Sequence, residues 1–120
     1  GRNMLLYPAS YLNCISVGSI NKSLDISPFS NYNVFMTMVA PGEDIIFEIS
    51  GEKIKDSGTS FSAPLVSGTL ALLKEKLKEE LGRKPEYSEL YNELIKNCVI
   101  VNNIDRIKQG HGYLDFSSKY

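Results

Sequence analysis

The hydrophobic pattern changes period along the chain and divides it into segments. Cys14-Ile15-Ser16-Val17-Gly18-Ser19-Ile20 alternates apolar and small residues, which predicts a strand closed by the turn Asn21-Lys22-Ser23. Val34-Phe35-Met36-Thr37-Met38-Val39-Ala40 is a nearly continuous apolar run stopped by Pro41-Gly42, and predicts a second strand. Ile45-Ile46-Phe47-Glu48-Ile49 predicts a third, short one. Ser50-Gly51-Glu52-Lys53 then reads as a turn, and Ile54-Lys55-Asp56 as a connection onward. From residue 61 to 73 nearly every position is apolar or small, which predicts a helix buried on all sides. Beyond it, Leu73, Leu77 and Leu81 recur every four residues among lysines and glutamates, so the helix emerges at the surface with a solvated charged face that implies no partner, and stops at Gly82. Tyr87, Leu90, Tyr91, Leu94 and Ile95 have helical spacing and predict a second helix over 85–95, closed by Asn97 and Cys98. Val99-Ile100-Val101 is a short apolar stretch. About three strands and two or three helices in this order predict an α/β arrangement with a mostly parallel sheet and one long buried helix.

Composition narrows the function classes. The 120 residues are 42% hydrophobic and 22% charged with a net charge of −1, enough apolar material for one small domain and no basic excess for nucleic acid or an anionic membrane. No apolar run approaches the ~18 residues of a membrane span. Gly1-Arg2-Asn3 lacks the layout of a signal peptide. Two cysteines, Cys14 and Cys98, make no disulfide framework and are expected to be buried free thiols. His111 is the single histidine, so zinc spacing is absent and the expected metal set is none. Asp25, Glu43 and Asp44 read as solvated charges.

The stretch with chemical promise is Asp56-Ser57-Gly58-Thr59-Ser60-Phe61-Ser62-Ala63-Pro64. Gly58 permits a tight approach, Thr59 and Ser60 are good helix N-caps, and Pro64 suits a first helical turn. A serine hydroxyl at that junction lies beside free backbone N–H groups and the positive end of a helix dipole, where developing negative charge is stabilised.

Gly58-Thr59-Ser60-x-x-x-Pro64 running into an apolar helix resembles the nucleophile segment of the subtilisin-like serine proteases, the subtilases. Tyr7-Pro8-Ala9, Ile15-Ser16-Val17-Gly18, Phe29-Ser30-Asn31, Ala40-Pro41-Gly42 and Gly110-His111-Gly112-Tyr113-Leu114-Asp115 resemble further family segments in the same order, over roughly residues 7 to 116. The resemblance implies part of a three-layer subtilisin-like fold, with residues 1–120 as the C-terminal portion of a catalytic domain. It implies Ser60 as the nucleophile of a serine endopeptidase and Ser62 as a packing residue. It implies Leu6, Pro8, Ala9 and Thr59 as substrate-binding residues, with a cis Tyr7–Pro8 bond. Leu6 stands where many members carry glycine at the floor of the primary pocket, so a shortened pocket favouring small or unusual side chains is expected.

The resemblance also shows what is missing. The family's aspartate and histidine precede the serine, and no histidine precedes Ser60. Asn3 lies too close to Tyr7-Pro8 to be the family's oxyanion asparagine. The chain alone is therefore expected to be inactive, and to need the N-terminal half of the domain, or self-association, to cover apolar surface. No cofactor is required. Some members bind calcium through carbonyls near Tyr-Pro-Ala and a carboxylate before Ala-Pro-Gly, but Thr37 stands at that second position, which leaves calcium unsupported. The expected partner is a peptide or protein substrate, and the expected location the secreted or envelope space of a bacterium, with an intracellular one open. Two other readings compete: a peptide-binding pseudoprotease, and an α/β-hydrolase-like esterase using Ser60, Asp105 and His111. The second lacks the Gly-x-Ser-x-Gly elbow and sufficient chain length.

Overall fold

The structure, a computed structural model, describes residues 1–10 and 13–117. In chain order it contains β1 (Val17–Ile20), β2 (Met38–Pro41), β3 (Ile45–Ile49), β4 (Glu52–Asp56), α1 (Thr59–Leu81), α2 (Tyr87–Lys96), β5 (Cys98–Val99), α3 (Arg106–Gln109) and β6 (Tyr113–Leu114). The main sheet has the order β1-β2-β6-β5. β1 and β6 flank β2 in parallel, and the short β5 runs antiparallel to β6. This is an α/β arrangement with a mostly parallel sheet, and the Tyr7–Pro8 bond is cis.

β2 is central because its side chains are wholly apolar: Met38, Val39 and Ala40 are all buried. A strand covered on both faces reads as a continuous hydrophobic run, as this one does. Met38 and Ala40 pack with Val66, Leu73 and Leu94, which joins β2 to α1 and α2. Lys76 reaches from α1 to Glu93 of α2 at 3.0 Å, so one charge of the run on α1 ties two helices rather than facing water. α2 starts on a reciprocal capping box between Glu86 and Glu89. Arg83 holds both carboxylate oxygens of Glu89, and that bond, ahead of the Glu86 backbone, pulls the Glu89 carboxyl down to about 2.

Several elements differ from the sequence expectation for local reasons. The first strand begins only at Val17 and the second only at Met38. Ahead of Met38, the Asn33 side chain accepts the Phe35 N–H and its carbonyl accepts the Met36 N–H, which curls residues 33–36 into a turn. The expected turn over 50–53 is only Ser50-Gly51, and Glu52–Asp56 returns as β4 in full antiparallel register with β3. Six strands thus replace the expected three among the described residues. Helix α1 is buried on one side only: Val66, Leu73 and Leu77 are covered, whereas Leu72 is 75% and Leu65 49% exposed. The apolar pattern runs all round the helix, and the described chain covers one face of it. Glu43 is not a solvated charge, since its Oε1 is buried without a hydrogen-bond partner. Asp44 is exposed and pairs loosely with Lys55. Cys14 and Cys98 are free and half-buried, and burial pushes the Cys98 thiol up to about 11.

Gly42 sits at a tight junction. A Cβ there would lie 2.3 Å from both Ser19 Oγ and Ser62 Oγ and 2.9 Å from the Gly58 carbonyl. Gly42→Ala is expected to cost about 1–3 kcal/mol through overpacking, read as a lower urea midpoint at unchanged slope.

Candidate active site

The site forms where two strand ends meet a helix start. β2 ends at Pro41 and β4 at Asp56, and the Gly58 N–H donates to the Gly42 carbonyl at 2.7 Å. Gly42 in turn donates to the Ile20 carbonyl at the end of β1. Ser57 Oγ accepts the Asp44 N–H at 2.9 Å, a second tie across the same junction. α1 then begins at Thr59 with Gly58 as its cap residue and no side-chain cap. Thr59 and Ser60 are thus the first two helical residues rather than caps. Pro64 lies inside the helix, one turn beyond the expected place, and has no N–H to give the Ser60 carbonyl four residues back.

The next two side chains anchor this first turn. Phe61 stacks at a tilt on Phe47 of β3, with ring centroids 5.3 Å apart. Ser62 is wholly buried and its hydroxyl faces the carbonyls of Ala40 and Pro41 at 3.0 and 3.1 Å. Ser60, between Thr59 and these two anchors, is exposed. Its N–H and that of Thr59 belong to the first turn and lack intrahelical acceptors. The turn holds no acidic residue, so the dipole's positive end is uncompensated. A fixed, exposed hydroxyl beside free N–H groups is suited to attacking a carbonyl and holding the resulting oxyanion.

Beside it lies a pocket of about 140 Å³. Leu6, Ala9 and Thr59 line it together with Met4, Asn33 and Met36; Pro8 is exposed and not part of the lining. No charged residue lines it. Sequence reading missed Asn33 and Met36, because the turn that brings residues 33–36 to the pocket falls inside what reads as a strand. The Asn-x-Phe spacing was its one local signal.

The other candidates lie elsewhere. Asn3 bridges to Tyr32 through the backbone. Asp105 accepts the Lys108 N–H through its carbonyl at the start of α3. The His111 N–H bonds the Thr37 carbonyl, before the first residue of β2, whereas Ser62 binds its last residues. Four residues of strand separate these points by about 13 Å, so the Ser60-Asp105-His111 arrangement gains no support. Burial, and secondarily Arg106, lowers the His111 pKa from its usual value. Thr37 Oγ1 accepts the Ser16 N–H and its carbonyl accepts His111. Both of its oxygens thus accept hydrogen bonds from within the chain.

The subtilase family profile matches residues 1–114. The chain belongs to the subtilase family. It is 40% identical over 111 residues to the major intracellular serine protease of Bacillus subtilis, covering 92% of this chain and 34% of that protein. It is 41% identical to an intracellular serine protease of Paenibacillus polymyxa, over 90% of this chain and 33% of that protein. Among solved structures, the prenylagaramide maturation protease PagA superposes with a TM-score of 0.81 at 32% identity, over 96% of this chain and 44% of that one. The Clostridium perfringens CspB protease superposes with a TM-score of 0.79 at 29% identity, over 94% and 27% respectively. This subtilase chain therefore spans about a third of the length of its curated relatives.

The two serines of the segment separate by stability. Ser62→Ala is expected to cost about 1–2 kcal/mol, because two carbonyls lose their shared buried donor. Ser60→Ala is expected to stay within about 0.5 kcal/mol, as an exposed substitution. Urea denaturation of both variants measures the difference.

Proposed function

We propose that the complete protein is a serine endopeptidase in which Ser60 is the nucleophile. The observation that carries this is the exposed Ser60 hydroxyl on a helix start otherwise held down by Phe61 and Ser62. Membership in the subtilase family supplies the reaction class. Ser60 Oγ attacks the peptide carbonyl while its proton passes to an imidazole, and the Ser60 N–H donates to the oxyanion that forms. The imidazole and its orienting aspartate come from polypeptide outside these 120 residues, which make up the C-terminal portion of the catalytic domain. That same polypeptide covers the open face of α1 around Leu65 and Leu72. The chain alone is inactive and self-associates through this face. A peptide or protein is the substrate, and no cofactor is needed.

The similar proteases of Bacillus subtilis and Paenibacillus polymyxa are bacterial, and their names call them intracellular. A bacterial location fits, and the expected secretion draws no support from them. No helix among the described residues is long and apolar enough to cross a membrane.

Incubating the complete protein with a small fluorophosphonate, followed by peptide mapping, is expected to place the label on Ser60. Ser60→Ala is expected to abolish labelling and to lower kcat by at least about 10³-fold. Labelling elsewhere, or none with the protein folded, overturns the reading in favour of a peptide-binding role.

The uncharged pocket beside Ser60 takes the side chain preceding the cleaved bond. With Leu6 and Met36 in its lining and no charge, it suits small to medium aliphatic groups. Leu6→Gly is expected to raise kcat/KM for a phenylalanine peptide about tenfold relative to an alanine peptide, in line with the worth of a few methylenes in a pocket. An unchanged ratio removes Leu6 from the specificity determinants.

A further inference from the structure

The walls of the pocket beside Ser60 come from separate parts of the chain. Met4, Leu6 and Ala9 form one, Asn33 and Met36 another. Chain connectivity does not hold these two together, since 29 residues separate Met4 from Asn33. The Asn33 side chain joins them. It is only 6% exposed. Its Nδ2 donates to the Met4 carbonyl at 3.1 Å and reaches Ser10 Oγ at 3.4 Å. Its Oδ1 accepts the Phe35 N–H at 2.8 Å, which fixes the turn carrying Met36. The network also fixes the amide's orientation, because only the oxygen can face the Phe35 N–H and only the NH₂ can face the Met4 carbonyl. Tyr32 adds backbone bonds to the same segment, accepting from Met4 at 3.1 Å and donating to Arg2 at 3.0 Å. Asn31 Oδ1 adds a bond from the Arg2 N–H at 2.9 Å. Those bonds set the spacing of the two segments, and Asn33 is the buried side chain that ties the Met4 carbonyl to the turn carrying Met36.

We propose that Asn33 is a positioning residue that sets the width of the substrate pocket and thereby its preference for an aliphatic side chain. This rests on the reading of the pocket as the subsite beside Ser60. An Asn33→Asp change keeps the shape and the acceptor for Phe35. It replaces both donors with oxygen facing the Met4 carbonyl, so attraction across the pocket becomes repulsion. The wall carrying Met4 and Leu6 then moves away, and an aliphatic side chain loses contact on one side.

The test compares kcat/KM of the complete protein on two peptides that differ only in having leucine or glycine before the cleaved bond. Fluorophosphonate labelling of Ser60 is measured alongside. Asn33→Asp is expected to lower the leucine-to-glycine ratio about tenfold, mainly through KM for the leucine peptide, as befits a lost buried hydrogen bond. Asn33→Ser retains an acceptor for Phe35 but cannot reach Met4, and it asks the same question should the aspartate variant not fold. A ratio within twofold of the parent protein, or equal losses on both peptides, overturns the assignment while leaving Ser60 as nucleophile. A parent protein that neither cleaves nor labels at Ser60 overturns both.

Discussion

The arrangement depends on how helix α1 is fastened at its first turn. The Ser62 hydroxyl bridges the last two carbonyls of β2, and the Gly58 N–H is tied to Gly42 just beyond that strand. These bonds run to a strand whose Met38, Val39 and Ala40 are buried in the core, so the start of α1 cannot shift without disturbing it. Gly42 is what lets the parts come this close, because the space a Cβ would need is filled by Ser19, Ser62 and the Gly58 carbonyl. A helix start fixed in this way presents its second residue at a constant place. Reactive geometry is useful only if it is held to within a fraction of an ångström, and a hydroxyl on a free loop is not.

Two consequences follow for the rest of the molecule. The hairpin β3–β4 leaves the sheet after Gly42 and returns at Ser57, so it closes the loop whose ends the clamp joins. Phe47 uses that position to press on Phe61, and Ser57 ties back to Asp44. α1 meanwhile runs from the clamp across β1 and β2, burying Val66, Leu73 and Leu77 and turning Leu65 and Leu72 outward. The side facing the sheet is covered within the described chain, and the other side is open.

Local chemistry explains which of these features were legible in the residues. The apolar run at residues 61–73, the recurrence of Leu73, Leu77 and Leu81, and Gly82 gave the helix and its end, and Gly82 does adopt the left-handed conformation with φ 68°. The burial of β2 was equally plain in Met38-Val39-Ala40. Periodicity could not show that Glu52–Asp56 is a strand, since its side chains are mostly charged and its pairing comes from the turn at Ser50-Gly51. Nor could it end the second strand's apolar run at Met36, because the interruption is made by a side chain, Asn33, that lies outside the run. Leu6, Ala9 and Thr59 were gathered by resemblance, and the fold places all three around one pocket. Pro8 shapes the backbone there through its cis bond and stays outside the lining.

The proposed nucleophile and the pocket are held by different means. Ser60 depends on a short clamp between residues that core strands already fix. The pocket depends on a lateral contact between two loops, secured by the Asn33 and Asn31 amides and a few backbone bonds. Loop-to-loop contacts can change without unfolding a sheet, whereas the clamp cannot. On the proposed function, substitutions at residues such as Leu6 and Asn33 alter which side chain is accepted, while the position of the Ser60 hydroxyl stays set by Ser62 and Gly42. The proposed selectivity and the proposed reactivity are thus separable, because the pocket and Ser60 rest on different hydrogen bonds.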